Sequence, residues 1–393
     1  WFSDSLFNLS QGAAGPAAAR VGLCSAAPFG GTRARGARAT VDTLGPPSVR
    51  ANAAPRAKPA GQQRPAASGS VLIVVVWVIS VLSILVAALG SRSAFALQVA
   101  DRFDQQLQAS YVALGGVQHA LTVLARDPSP DSVGFGDEWT SNELLFAHQP
   151  FGDGTLTISY VTPEDDGTLL TRYGLADEER KLNLNTAPEA VLHAFIQDTG
   201  RVEAGPALAI VQAILDWRDD DQDPRPMGAE DFYYQGLSPA YESKDGPCES
   251  VEELLLIKGM SPALFARLAP SLTVYGSGRV NINTTGQPVL RALGLSETGI
   301  KGIVFYRAGE DNTEGTADDR AVGATAAIPS ELSVAVPDED VNRLRQLVQE
   351  DLLSVQSEAF GFSIVGETES GKGRVRVACV VDRDGAIKMW TEE

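Results

Sequence analysis

The densest chemistry in the sequence is a run of acids that follows Trp217-Arg218. Asp219, Asp221 and Asp223 alternate, and Glu230 and Asp231 come soon after. Counted from Asp219, the three aspartates and Glu230 occupy the first, third, fifth and twelfth places of an EF-hand-like loop. The sixth place holds Pro224 where an EF-hand needs glycine, so the loop is not a true EF-hand. The chemistry still suits a hard cation. Crowded carboxylates repel one another unless positive charge sits among them, and ligation by oxygen alone favours calcium over zinc or copper. Asp216 and Asp220 flank the run and widen the choice of ligands. The plainer reading is a solvated acidic loop. A second acidic loop, residues 309–319, sets Gly315 among alternating oxygen donors and fits calcium or solvent equally.

No enzyme emerges from the remaining reactive residues. The three histidines, His119, His148 and His193, show no metal-ligand spacing with cysteine, and there is no phosphate-cradling glycine loop or nucleophile elbow. Three cysteines exclude a disulfide-dense scaffold. Cys248 and Cys379 would meet an oxidising compartment and could pair, or stay as buried thiols. The net charge of -18, from 32 basic and 50 acidic residues, lacks the basic footprint of a nucleic-acid binder.

The elements that carry these groups begin with a membrane span. Residues 1–69 hold eight basic groups against two acids, a net of +6, which leaves -24 for the remainder. No charge lies between Arg64 and Arg92, and Val71–Leu89 is apolar except for Ser80 and Ser83. At about 1.5 Å per residue this run nearly matches a hydrocarbon core of about 30 Å. The positive-inside rule puts residues 1–69 in the cytoplasm and the acidic mass outside. The first 69 residues, rich in Ala, Gly, Pro and Arg and without a starting methionine, read as a fragment, a mis-called start or a disordered leader, with no fold assigned. Beyond the span, Phe103, Leu107, Tyr111, Leu114, Val117, Leu121 and Leu124 recur at helical spacing. One long helix is expected, with Gly90 and Gly115-Gly116 as bending points, ending at Asp127-Pro128-Ser129-Pro130.

Strands are expected near both ends of the acidic part. Thr155–Val161 and Thr168–Tyr173 read as a hairpin turned by Pro163–Gly167. Phe360–Val365, Arg374–Val381 and Ala386–Trp390 read as three more strands. Between them the sequence echoes itself. Lys181–Pro188 and Arg279–Pro288 each run from a short strand into Asn-x-Asn-Thr and then a helix, whose free N–H groups the Asn or Thr could cap. Ser250-Val251-Glu252-Glu253 is a capping box opening a helix over Val251–Ile257, and Ser261-Pro262 opens another through Leu268. The echo resembles helix-hairpin-helix units, which bind DNA phosphates where their surface is basic. Here acids dominate, which favours a structural role.

A glycine before an apolar helix that runs on as an amphipathic rod is the layout of type IV pilin-like proteins. Gly69-Ser70-Val71-Leu72-Ile73-Val74-Val75-Val76-Trp77 resembles the processing site of the type II secretion system minor pseudopilin family, general secretion pathway protein K. With Ser70 as first residue the fifth is Val74, where pilin-like chains usually carry Glu, and family K lacks that Glu. A carboxylate in hydrocarbon needs a partner; a subunit with nothing above it has none, so Val74 suits a filament tip. Ile214–Asp221, Arg225–Asp231, Tyr233-Tyr234 and Glu252–Met260 resemble the same family, and the resemblance runs over roughly residues 69–390.

The resemblance implies an α+β fold. A pilin-like long N-terminal helix packs on a small antiparallel sheet, with a large helical insertion domain containing helix-hairpin-helix-like units. The expected division is a removable leader over 1–69, the transmembrane part of the helix over 70–90, the rest of the helix and the first strands over 91–182, the insertion over 183–340, and a C-terminal helix and strands over 341–393. Implied too are cleavage after Gly69 and methylation of Ser70 by prepilin peptidase, and a structural calcium ion held among Asp219, Asp221, Asp223, Glu230 and Asp231. The chain would be single-pass in the inner membrane with its bulk in the periplasm. Its partners would be minor pseudopilins I and J, the major pseudopilin and the inner-membrane assembly platform, with no nucleic acid. The rival readings are a membrane-tethered DNA receptor built on the helix-hairpin-helix echo, and a minor subunit of a type IV pilus.

Overall fold

The computed structural model describes residues 69–163 and 169–392. The expected leader therefore lies outside the described residues, save for Gly69. A single helix, α1, runs from Gly69 to Leu124 over 56 residues. Its apolar run has no proline, and its two hydroxyls turn inward: Ser80 and Ser83 donate to the carbonyls of Val76 and Ile79, 2.8 Å each. Both hydroxyls of that segment are thus met within the helix, as hydrocarbon requires. All side chains from 71 to 98 are exposed.

The lower half of α1 packs on the sheet through the last part of the expected stripe, Val117 and Leu124, together with smaller residues on the neighbouring face. Ala109, Val112, Ala113, Val117, Ala120 and Leu124 are buried, whereas Phe103, Leu107, Tyr111 and Leu114 stand exposed. Small side chains let the helix axis come close, and the glycines take this further. A methyl group at Gly116 would meet Ile364 at 2.8 Å, and one at Gly366 would meet the Ala109 carbonyl oxygen at 2.5 Å. The Gly115-Gly116 pair expected to bend the helix therefore sits in unbroken helix and serves close packing.

After α1 come a short helix α2 (Glu143–Phe146) and strands β1 (Gln149–Phe151), β2 (Gly154–Pro163), β3 (Leu169–Arg172) and β4 (Ala176–Asp177). The β2–β3 pair is the expected hairpin, with Tyr160 opposite Arg172. Its turn, from residue 164, lies outside the described residues. The insertion then holds β5 (Leu182–Asn183), α3 (Glu189–Asp198), α4 (Ala204–Arg218), α5 (Asp231–Tyr234), α6 (Pro262–Leu268), β6 (Leu272–Thr273), β7 (Val280–Asn281), α7 (Gln287–Ala292), α8 (Glu297–Arg307), α9 (Ile328–Glu331), α10 (Asp338–Gln349) and β8 (Leu353–Ser354). Strands β9 (Ala359–Thr368), β10 (Arg374–Asp382) and β11 (Ile387–Glu392) close the chain.

The main sheet is antiparallel in the order β1-β2-β9-β10-β11, with β3 on β2 and β4 on β9. Leu156, Ile158, Phe360, Phe362, Ile364, Val375, Val377, Cys379 and Val381 form its buried face beneath α1, with Trp139 edge-on to Phe360 at 4.9 Å. A second core belongs to the helices and runs from Leu182 to Val355. It takes in Leu344 and Leu347 of α10, so the helical unit extends past the expected boundary at 340, and α10 belongs to it and not to the sheet. Cys248 and Cys379 are free and buried in separate cores, Cys248 among the helices and Cys379 under the sheet.

The sequence echo is a structural repeat. β5 pairs in parallel with β6, and β7 pairs in parallel with β8. The Asn-x-Asn-Thr segments do not cap the helices that follow, whose cap positions are Pro188 and Gly286. Both first asparagines turn the chain by accepting from the N–H two residues on, Asn183 from Asn185 and Asn281 from Asn283. Both second asparagines clamp a distant backbone by donating to its carbonyl and accepting from its N–H: Asn185 holds Cys248, and Asn283 holds Val322. An arginine ending the second helix of each copy donates to the turn, Arg218 to the carbonyls of Leu184 and Ala187, and Arg307 to those of Ile282 and Thr285. Buried asparagines can serve both strands and loops because one amide supplies donor and acceptor together. The capping box at Ser250 is present, with Glu253 accepting from the Ser250 N–H at 3.2 Å, but the helix it opens, Val251–Leu256, is a 3-10 helix.

Candidate metal centre

The acidic run leaves the C-terminus of α4, where Arg218 has fixed the chain against the first Asn-x-Asn-Thr turn. Asp216, the last inward-facing acid of α4, is fully buried. It is the anchor of the loop. Its carboxylate accepts from the Arg225 guanidinium at 2.6 Å and from the Ala229 N–H at 2.7 Å. Gly228 is required beside it, since a methyl group there would overlap the Asp216 carboxylate. Arg225 also binds Asp219 Oδ2 at 2.6 Å, so one guanidinium bridges two carboxylates and folds the loop back on itself.

This fold-back brings Asp219, Asp221 and Glu230 together, with one oxygen from each within 4.8 Å of the others. Among the described residues no other such group of three forms. Asp223 and Asp231 are not part of it. The Asp223 N–H donates to Asp221 Oδ1 in a tight turn, which carries the Asp223 carboxylate out to solvent. Asp231 accepts from the Ser243 N–H at 2.7 Å and so secures the next loop. The second acidic loop puts its carboxylates on its own backbone: Asp318 accepts from the N–H groups of Glu310 and Asp311, and Asp319 from those of Gly315 and Thr316.

The converging oxygens fit a hard cation. Asp219 Oδ1 and both oxygens of Glu230 are buried with no hydrogen-bond partner. Burial, together with the charges of Asp216, Asp219 and Asp245, pushes the Glu230 carboxyl up to about 7. Buried carboxylate oxygens lacking donors are costly, and a divalent cation with oxygen preference is the group that satisfies several at once. Three protein oxygens leave room for carbonyl and water ligands, as such an ion needs. Sequence reading missed Arg225, which supplies positive charge to the same cluster. Its spacing from Asp216 gives no helical or strand period, so nothing local pointed to the pair.

The architecture and this site can be set beside known proteins. The family model described as type II secretion system (T2SS), protein K, matches residues 173–277, which include the acidic loop. Type II secretion system protein K of Klebsiella pneumoniae is 30% identical over 57% of this chain and 68% of its own length. The Aeromonas hydrophila protein of that name is 26% identical over 82% of this chain and 95% of its own length. That of Pseudomonas aeruginosa is 31% identical over 58% and 68%. Among solved structures, the crystal structure of the GspK-GspI-GspJ complex from enterotoxigenic Escherichia coli has a chain that superposes with a TM-score of 0.56 at 18% identity. The match covers 76% of this chain and 99% of that one, and it supports the same fold. On the strength of these matches and of the rod, sheet and helical insertion described above, the chain belongs to the type II secretion system protein K family.

Proposed function

We propose that this chain is a minor pseudopilin at the tip of the type II secretion pseudopilus. There it nucleates assembly with minor pseudopilins I and J, ahead of the major pseudopilin, for export of proteins across the outer membrane. The observation that carries this reading is α1. Its upper part is uncharged and long enough to cross a bilayer, and its lower part keeps Phe103, Leu107, Tyr111 and Leu114 exposed on a helix already packed on its other side. An apolar face left open on a rod suits helix-against-helix contact with sibling subunits. The solved relative comes from a complex titled for K, I and J together, which supports the choice of partners.

Val74 needs no partner above it in the membrane, which suits the topmost subunit. The basic leader would stay cytoplasmic and the acidic bulk periplasmic, anchored in the inner membrane on the assembly platform. Prepilin peptidase would cut after Gly69 and methylate Ser70. Calcium held by Asp219, Asp221 and Glu230 would stiffen the α4–α5 loop. The role is mechanical, with no catalytic residue and no nucleic-acid partner.

The test is co-purification of the full chain with tagged minor pseudopilins I and J from the same system. Wild type is expected to be retained, and Leu107→Asp with Tyr111→Asp is expected to lose retention while keeping the wild-type melting profile. Equal retention of the double variant would overturn the role assigned to this face.

A further inference from the structure

Where the sheet meets the insertion, three guanidinium groups surround one aromatic ring. The Cζ atoms of Arg172, Arg180 and Arg307 lie 5.9, 5.9 and 5.7 Å from the centre of Phe135. They come from three different elements: the end of β3, the 3-10 turn Glu178–Arg180, and the end of α8. With Thr162 and Glu314 they line a cavity of about 460 Å³. In a chain of net charge -18, three cations gathered at one cavity are not background.

Among the described residues their counter-charge is incomplete. The Glu314 carboxylate meets only Arg307, at 2.7 Å. Arg172 has the Glu314 backbone carbonyl at 2.9 Å, and Arg180 has the Thr162 hydroxyl at 2.8 Å. Neither of these two has a carboxylate partner among the described residues. Arg307 lines the cavity and is 3% exposed, and its buried Nε has no hydrogen-bond partner. A clamp on the acidic 309–319 loop would explain Arg172 and Arg307, which both reach Glu314. It does not explain Arg180, whose hydrogen bond goes to Thr162 on β2.

We propose that this cavity is a binding site for an oxyanion, the carboxylate or phosphate group of a small ligand. The planar forks of Arg172 and Arg180 supply the charge-assisted bonds and Arg307 the buried donor. Phe135 gathers the three forks around its ring. The site lies away from the acidic loop of the candidate metal centre, and the inference does not depend on the secretion reading.

The experiment is calorimetric titration of the full chain in detergent, at constant ionic strength set with chloride, with inorganic phosphate and with succinate in separate runs. Saturable binding of at least one is expected, weakened by about tenfold or more in Arg180→Gln. Binding of phosphate alone assigns a phosphate group, and of succinate alone a carboxylate. Saturation by neither, or equal binding in Arg180→Gln and Arg172→Gln, overturns the proposal. Should those variants fail to fold, thermal melting of the wild-type chain decides. A rise in midpoint with either anion that saturates at low millimolar concentration supports the site; no rise, or a rise that keeps growing in proportion to concentration as a general salt effect does, overturns it.

Discussion

Glu230 gathers the main tension of the molecule at one side chain. Its two buried oxygens have no donors, and its neighbours carry the same charge. Removing divalent cations with a chelator should therefore lower the melting temperature, by on the order of 5 °C for a site that is near saturation. Glu230→Gln should melt at one temperature with and without chelator, as followed by circular dichroism. A second residue-scale prediction concerns Glu179. It sits beside buried Asp177, and burial and that charge push its carboxyl up to about 7, against the pull of the N–H groups of Ser277, Glu358 and Ala359. Between its ordinary value of 4.5 and about 7, the folded chain holds a proton that the unfolded chain has released. The contribution of Glu179 to stability therefore falls as pH rises through that window. The urea midpoint of wild type minus that of Glu179→Gln, measured from pH 4.5 to 7.5, should fall steadily as pH rises. At this scale the sequence made Asp219, Asp221 and Glu230 legible, because alternation and the twelve-residue span depend only on the local chain. It did not show that Asp223 turns to solvent, since that follows from a hydrogen bond between Asp223 and Asp221. The arginines at Phe135 were invisible for a related reason. Residues 135, 172, 180 and 307 meet only after the sheet and insertion have formed.

The rod shows how far patterns carry at the scale of elements. Its length and the position of its end were legible from the uncharged run and from Pro128 and Pro130. Which face packs inward was legible only in part. Val117 and Leu124 of the stripe do meet the sheet, but above them Ala109, Val112, Ala113 and Gly116 take the place of Phe103, Leu107, Tyr111 and Leu114, because a close helix axis buries backbone as well as side chains. The approach at Gly366 is backbone against backbone, so no rotamer change can relieve it. Gly366→Val should cost about 1–3 kcal/mol, the range for overpacking, read as a lower urea midpoint, whereas Gly90→Ala, with open space around it, should be neutral or slightly stabilising. The strands were legible from alternation, and β9 and β10 fall where expected with ends a few residues longer. The short strands β5 and β7 fall where expected before each Asn-x-Asn-Thr, but their parallel partners β6 and β8 were not legible, because so short a strand has no period. What the sequence did show was their repetition, in the shared Asn-x-Asn-Thr.

For the whole molecule the charge distribution makes the clearest separation between readings. A net of -24 beyond residue 69 should keep the chain from binding duplex DNA at moderate salt, and a DNA-affinity column should pass it in the flow-through. A DNA receptor built on the same helices would be retained. The leader and span make a separate prediction. Mass spectrometry of the mature chain from cells is expected to find Ser70 as a methylated N-terminus; an uncut leader would count against the pseudopilin reading.

The insertion departs from the sheet at β4 and rejoins it at β9, and those two points are register partners, Ala176 with Gly361 and Asp177 with Phe360. Its way out and its way back are therefore neighbouring rungs of one ladder. A pull along the rod would pass into β9 through the contacts at Gly116 and Gly366 and spread from there across the strands. On the proposed reading, the helical unit, joined to the sheet at one place on the ladder, would be carried along with the rod without its own chain lying in the line of the pull.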